Sequence, residues 1–371
     1  MVQIKNHRKI GKKQIKIAVC CLLLCGCIAF AIPLGAADWS QTTVQPEAVN
    51  TEGVITWVDF TIPCEALERA MNYDVETHET ETPIDWIAVL SYLGAKYGGE
   101  FSRYKAKDMD AVCARLKNGE TIETITADIK KYYNYYYEAY SAVLGEYLGT
   151  FAIRTEDDAG NAVWKEQYGL KVFSPIAEGF YFDHYDDFCA SRSYGYNRKH
   201  FGHDLMCSLG TPIVAVESGV VEELGWNQYG GWRIGIRSFD KKRYYYYAHM
   251  RRNRPYHPDI QLGSVVKAGD VIGYVGRTGY STVENTNNIT ATHLHWGVEL
   301  IFDESQKDAS TQIWIDLYEI TKFLNQHRST VWRDEENKEY YRKFDYWDPE
   351  VVGWLSESGK GESFDASSES G

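Results

Sequence analysis

From residue 172 to residue 300 the chain is a succession of short β-prone segments separated by glycine-bearing turns. The segments span residues 211–217, 219–224, 232–237, 243–248, 265–266 and 271–275, and a last one runs through His293. Gly230-Gly231, Gly263, Gly269, Gly276 and Gly279 stand where tight turns need backbone that no Cβ obstructs. Short strands with regular turn punctuation predict a β-dominated sheet domain.

Histidines concentrate in this same stretch. His293-Leu294-His295 lies within Ala291-Thr292-His293-Leu294-His295-Trp296-Gly297-Val298-Glu299-Leu300, and in a strand residues i and i+2 face the same way. Both imidazoles then enter one space, which suits a metal ligand beside a general acid or base. Upstream, His200-Phe201-Gly202-His203-Asp204 offers another imidazole and a carboxylate, and Tyr247-Ala248-His249 closes a tyrosine-rich strand. His203, one residue before Asp204, is expected to face the opposite way in a structural role. His184 and His257 are expected at the surface. Tyr194, Tyr196 and Arg198 are candidates for lining a groove, and two of the four tyrosines at 244–247 are expected in the core.

The rest of the chain reads differently. Residues 17–37 form an apolar run without charge, about the 20 residues that a membrane-spanning helix needs. Lys5, Arg8, Lys9, Lys12, Lys13 and Lys16 precede it, which predicts a cytoplasmic N-terminus and an exported remainder. An uncleaved signal-anchor is the expectation. Cleavage near Gly35-Ala36-Ala37 is the alternative, and a lipoprotein site at Cys27 is disfavoured because the apolar run continues past it. The net charge of −13, which is more negative still once those six basic residues are set aside, argues against nucleic-acid binding. A polar stalk occupies residues 38–62. Helical spacing of apolar residues follows at 64–73, 83–97, 107–117 and 122–148, making 63–158 a helical domain. Its last helix carries Tyr132, Tyr133, Tyr135, Tyr136, Tyr137 and Tyr140, expected to cement a small bundle. Cys64, Cys113, Cys189 and Cys207 show no C-x-x-C spacing, so two disulfides and buried free thiols are both open. Beyond the sheet domain, 313–327 reads as a helix, 329–355 as a packed extension and 356–371 as a disordered tail.

The sheet domain resembles the LytM/lysostaphin-type murein metallopeptidases over roughly residues 173–302. The matching string is His200-Phe201-Gly202-His203-Asp204, Gly210-Thr211-Pro212-Ile213-Val214-Ala215, Gly219-Val220-Val221, Tyr247-Ala248-His249, Val266-Lys267-Ala268-Gly269-Asp270-Val271-Ile272-Gly273, Gly276-Arg277-Thr278-Gly279 and His293-Leu294-His295. One departure is the insert at residues 280–292, longer than the link usual in such proteins, which bears on the groove rim. The resemblance implies a LytM-type antiparallel sheet domain with a metal-binding groove, placed at 170–328; with the membrane helix and small helical domain read above, the chain is expected to be α+β. It implies Zn2+ held by His200, Asp204 and His295, with His249 and His293 as the catalytic pair. The activity implied is hydrolysis of peptide bonds in peptidoglycan; with the N-terminal anchor read above, the enzyme would be membrane-anchored with its catalytic domain extracellular. Its partners would be a peptidoglycan peptide and, through the N-terminal helix, the lipid bilayer; a divisome or sporulation-type protein partner is left open. A non-catalytic cell-wall scaffold or activator, and a protease acting on another exported protein, are the alternatives.

Overall fold

The computed structural model describes residue 49 and residues 54–156, 160–307 and 310–359. The expected membrane segment at 17–37, the basic tail before it, most of the stalk and the polar tail past residue 359 lie outside the described residues. Among the described residues no helix is long and apolar enough to cross a membrane.

Five helices come first: α1 (Cys64–Thr77), α2 (Trp86–Tyr97), α3 (Ala106–Lys117), the single turn α4 (Ile122–Ile125) and α5 (Lys130–Leu144). The Asp85 carboxylate caps α2 by accepting the Ile87 N–H, so the helix opens there and not at Pro83. Gly98, at φ 66°, closes it in a left-handed conformation. At Gly94 this helix meets α5 so closely that a Cβ would lie 2.9 Å from the Tyr140 hydroxyl. Tyr136 and Tyr140 are buried in that contact, while Tyr137 is exposed. The helix expected over 122–148 is broken by a 3-10 turn at Ala127–Ile129 and stops at Leu144. Residue 148 instead opens a hairpin, β1 (Leu148–Glu156) and β2 (Ala162–Leu170).

The strands that follow are β3 (Phe182–His184), β4 (Ser191–Arg192), β5 (Arg198–Lys199), β6 (His203–Cys207), β7 (Pro212–Val214), β8 (Gly219–Asn227), β9 (Gly231–Ser238), β10 (Arg243–Ala248), β11 (Val265–Val266), β12 (Val271–Tyr274), β13 (His293–Leu300) and β14 (Ile313–Trp314). The main sheet runs β11-β8-β9-β10-β13-β6-β3, with β14 also pairing β13, and every pairing in it is antiparallel. One face is dry: Ile234, Ile236, Tyr245, Tyr247, Leu294, Trp296 and Val298 are all buried, each such apolar side chain contributing about 1.5–3 kcal/mol. A second core joins Phe151, Phe173, Val214, Val271 and Tyr274 to Tyr346.

The expected helix at 313–327 is shorter. Ile313 and Trp314 extend β13's open edge, and only α6 (Tyr318–Leu324) is helical, with Asp316 accepting the Tyr318 N–H before it. The extension folds as β15 (Val331–Arg333), β16 (Tyr340–Arg342), β17 (Tyr346–Trp347) and α7 (Pro349–Glu357), with β17 pairing β1. Helix α7 runs into the segment expected to be disordered. Cys64, Cys113, Cys189 and Cys207 are free thiols.

Buried charge ties the helical region to the sheet. Arg243, wholly buried in β10, donates from Nη1 to the Ala142 carbonyl of α5 (2.8 Å) and from Nε and Nη2 to Glu217 (2.8 and 3.0 Å).

Candidate metal centre and its groove

Register builds the site. In the β13–β6 pair His295 lies opposite Asp204, and residues directly opposite in an antiparallel pair share a face. His293, two residues away, shares that face. Leu294, Trp296 and His203 point to the other side and are buried. His200 enters from the turn between β5 and β6. Gly202 makes that turn possible: at φ 145° it passes so near His295 that a Cβ would sit 2.5 Å from the imidazole Cε1.

Three donor atoms thereby form a nearly equilateral triangle. His200 Nε2 is 2.9 Å from His295 Nδ1 and 3.0 Å from Asp204 Oδ1, and His295 Nδ1 is 3.1 Å from the same oxygen. The edges approach the about 3.3 Å expected between ligand atoms about 2.05 Å from a tetrahedral zinc. The Asp187 carbonyl lies 3.2 Å from His200 Nδ1. A carbonyl can only accept, so Nδ1 carries the proton and Nε2 turns its lone pair inward. Two imidazole nitrogens and a carboxylate oxygen at this range suit a shared cation. Burial opposes charge on His200, but hydrogen bonds to Asp187 and Asp204 lift it to about 9. Burial likewise opposes the Asp204 carboxylate, and His200 and His295 outweigh it, holding Asp204 well below the usual range. The donor set fits a divalent metal of zinc's preferences, with Asp204, His200 and His295 as the group able to hold it.

His249 and His293 stand beside the triangle. Their rings meet edge to face at 4.8 Å, and His293 Nε2 is 3.7 Å from Asp204 Oδ1. The Nδ1 atoms are 2.8 Å from the Thr278 carbonyl and 2.9 Å from the Ala291 carbonyl respectively. By the same logic both Nε2 atoms are free to accept. His249 follows the end of β10 in a left-handed conformation, φ 59°, held by its own N–H to the Gly230 carbonyl at 2.7 Å. Burial, then the neighbouring His293 and His295, depress its basicity far below the ordinary range, so it is neutral near pH 7.

The groove over these residues encloses about 690 Å³. Tyr244 and Tyr246 floor it while Tyr245 and Tyr247 enter the core, as strand alternation requires. Arg198 lines it, and Tyr194 stacks on Tyr280 at its edge (4.5 Å); Tyr196 is exposed outside. His203 is buried and paired through Nε2 with His184 Nδ1 at 2.8 Å. The two remaining histidine expectations are corrected. His184 is half-buried in that pair, and His257 is buried against Tyr341, because the 329–355 extension covers it.

Two groups at the site carry no signal in the sequence. Arg192 of β4 bridges Asp187 (2.5 Å) and the outer oxygen of Asp204 (3.3 Å), while an Asp187 oxygen lies 3.2 Å from His200 Nδ1. Only the two-residue hairpin β4–β5 brings them there, and two-residue strands leave no periodicity to read.

Two histidines and an aspartate drawn together at an antiparallel sheet, with two more imidazoles in the groove beside them, form a group that could hold a metal. Residues 198–308 match Peptidase family M23, and the chain carries a domain of that family, of the LytM/lysostaphin type. It is 40% identical over 108 residues to the L-Ala–D-Glu endopeptidase of Bacillus subtilis (strain 168), covering 29% of this chain and 32% of that one. To lysostaphin of Staphylococcus staphylolyticus it is 38% identical over 98 residues, 26% of this chain and 18% of the other. To the glycyl-glycine endopeptidase ALE-1 of Staphylococcus capitis it is 36% identical over 99 residues, covering 26% and 24%. The match thus spans about a third or less of each relative's length.

Proposed function

We propose that the chain is a membrane-anchored zinc metalloendopeptidase that hydrolyses peptide bonds in peptidoglycan. The observation that carries this is the triangle of His200, Asp204 and His295 beneath two imidazoles whose free Nε2 atoms face the same groove. Zinc held there would polarise a peptide carbonyl and bring the pKa of water down to about 7. His249 and His293 would do the proton work: an Nε2 lone pair accepts a proton from the attacking water, and the imidazolium so formed hydrogen-bonds the developing oxyanion and donates that proton to the leaving amine. The Thr278 and Ala291 carbonyls hold both rings in the required tautomer. Arg192, through Asp187 and Asp204, fixes the carboxylate that meets the metal.

The relatives' names support the substrate class, since they include an L-Ala–D-Glu and a glycyl-glycine endopeptidase. The basic tail and apolar run at 17–37 support anchoring in the bilayer with the groove outside the cell. A zymogram against purified peptidoglycan tests the activity, which a chelator should abolish and added zinc restore. Clearing that persists in chelator would overturn the zinc reading. No clearing at all would favour the scaffold or the protease of another exported protein. Protease applied to intact protoplasts should digest the His200 domain; its protection would overturn export.

A further inference from the structure

We propose that Arg198 is a carboxylate-binding residue of the groove, so that the preferred substrate carries a free carboxylate within a few residues of the bond that is cut. This rests on the peptidase reading above and names its substrate class. Arg198 lies on β5, two residues ahead of His200. Its Nη1 donates to the Tyr194 carbonyl (2.9 Å) and its Nη2 to the Tyr280 hydroxyl (3.1 Å). The guanidinium also sits 5.1 Å from the Tyr229 ring centre and 5.3 Å from that of Tyr280. Tyr280 is itself fixed: it stacks on Tyr194, adopts φ 49°, and its carbonyl accepts from Asn288 Nδ2 at 2.6 Å. It is the first residue of the long insert at 280–292, so this presentation belongs to the insert.

Charge bookkeeping then singles out Arg198. Of the other groove guanidiniums, Arg192 is paired with Asp187 and Asp204, and Arg233 with Glu223. Lys199 is exposed at the rim. Among the described residues Arg198 alone is a half-buried groove cation, oriented on several sides, without a carboxylate partner. Its five N–H groups leave donors over after Tyr194 and Tyr280 are served. A planar, pre-oriented guanidinium of this kind matches a carboxylate with two parallel hydrogen bonds. The Tyr280 ring lies 5.8 Å from the His249 ring. With the guanidinium 5.3 Å from that ring, Arg198 is within about 11 Å of His249, so at about 3.3–3.6 Å per extended residue the partner carboxylate falls within about three residues of the reacting bond. A polyglycine bridge has no side-chain carboxylate to offer.

The test uses the full chain, zinc-loaded, with His293→Ala to stop turnover. Two stem-type peptides, one with glutamate and one with glutamine in its place, are titrated by calorimetry. The glutamate peptide should bind roughly ten- to a hundredfold tighter, as a charge-assisted hydrogen bond provides. Arg198→Gln should erase that preference and Arg198→Lys, which keeps the charge, should retain part of it. Equal binding of the two peptides overturns the proposal. So does a preference that survives Arg198→Gln, because the metal would then be holding the carboxylate. Should the glutamine variant fail to fold, a lysine variant whose preference equals that of the parent also overturns it. Wild-type chain that leaves peptidoglycan uncut would overturn the peptidase reading instead, and the binding arm still decides on Arg198.

Discussion

His249 and His293 set Nδ1 against a carbonyl and keep Nε2 for the groove, which suits the proton transfer proposed for them. Replacing either with alanine should leave the metal bound and the fold intact while hydrolysis falls by about 10²–10⁴-fold. Elemental analysis beside a peptidoglycan assay checks both halves; metal lost from the His293 variant would exchange the roles of His293 and His295. His203 calls for a different measurement. Burial first, and His184 next, bring it down to about 4, whereas an unfolded histidine titrates near 6.5. Between these values the unfolded chain binds the extra proton, so the stability is fully present above pH 6.5 and is lost as pH falls toward 4. The loss amounts to about 3 kcal/mol. In chelated protein, His203→Gln should shed this share of the acid sensitivity. Urea midpoints at pH 7 and 4.5 would then differ less than in wild type, and an unchanged difference would remove His203 from the account. Its outward turn was legible from strand period alone. Asp187 and Arg192 were not, because tertiary placement of a minimal hairpin makes them neighbours of His200.

Among the elements, β13 and β6 set the site through one register. Gly202 guards it: alanine there would be forced to adopt φ 145° and to occupy space 2.5 Å from His295 Cε1 and 2.9 Å from the Trp296 carbonyl. Gly202→Ala should therefore weaken metal binding by about 10–100-fold, the range for disturbing a ligand's support, with the sheet retained. Competition with a chromophoric chelator measures this, and wild-type affinity would mean that the His200 turn moves aside freely. The strand 243–248 coincides with β10 at both ends because alternating tyrosines and its flanking turns agree. The stretch 313–327 misleads because Ile313, Leu317, Ile320 and Leu324 have helical spacing. Pairing of Ile313 with Leu300 overrides that spacing, and Asp316 restarts the chain as a helix. Helix α5 stops at Leu144 for a similar reason, since residue 148 gains a partner in Leu170.

At the scale of the molecule, the helical region and the sheet share buried charge that no local pattern announces. Arg243 is wholly buried and Glu217 nearly so, and their pairing reaches the carbonyl of Ala142. Arg243→Met would strand the Glu217 carboxylate, costing about 3–5 kcal/mol. The double change Arg243→Met with Glu217→Leu should recover much of it, because the buried Glu217 charge is then gone and Asp240, the second carboxylate on Arg243 at 3.0 Å, is partly exposed to water. Urea unfolding of the three proteins checks the order, and a double variant no more stable than the single would show that the Ala142 contact matters more than the pair. Sequence spacing followed the helices as far as Leu144 but missed the hairpin that opens at residue 148, and it was silent on this joint, which depends on residues 101 positions apart. One strand has a further bearing on genetics. Because β13 turns His293 and His295 to the groove and Leu294 and Trp296 to the core, a screen for lost hydrolysis would recover alleles at all four codons. The odd codons would yield stable, silent enzymes, and the even ones proteins too scarce to assay.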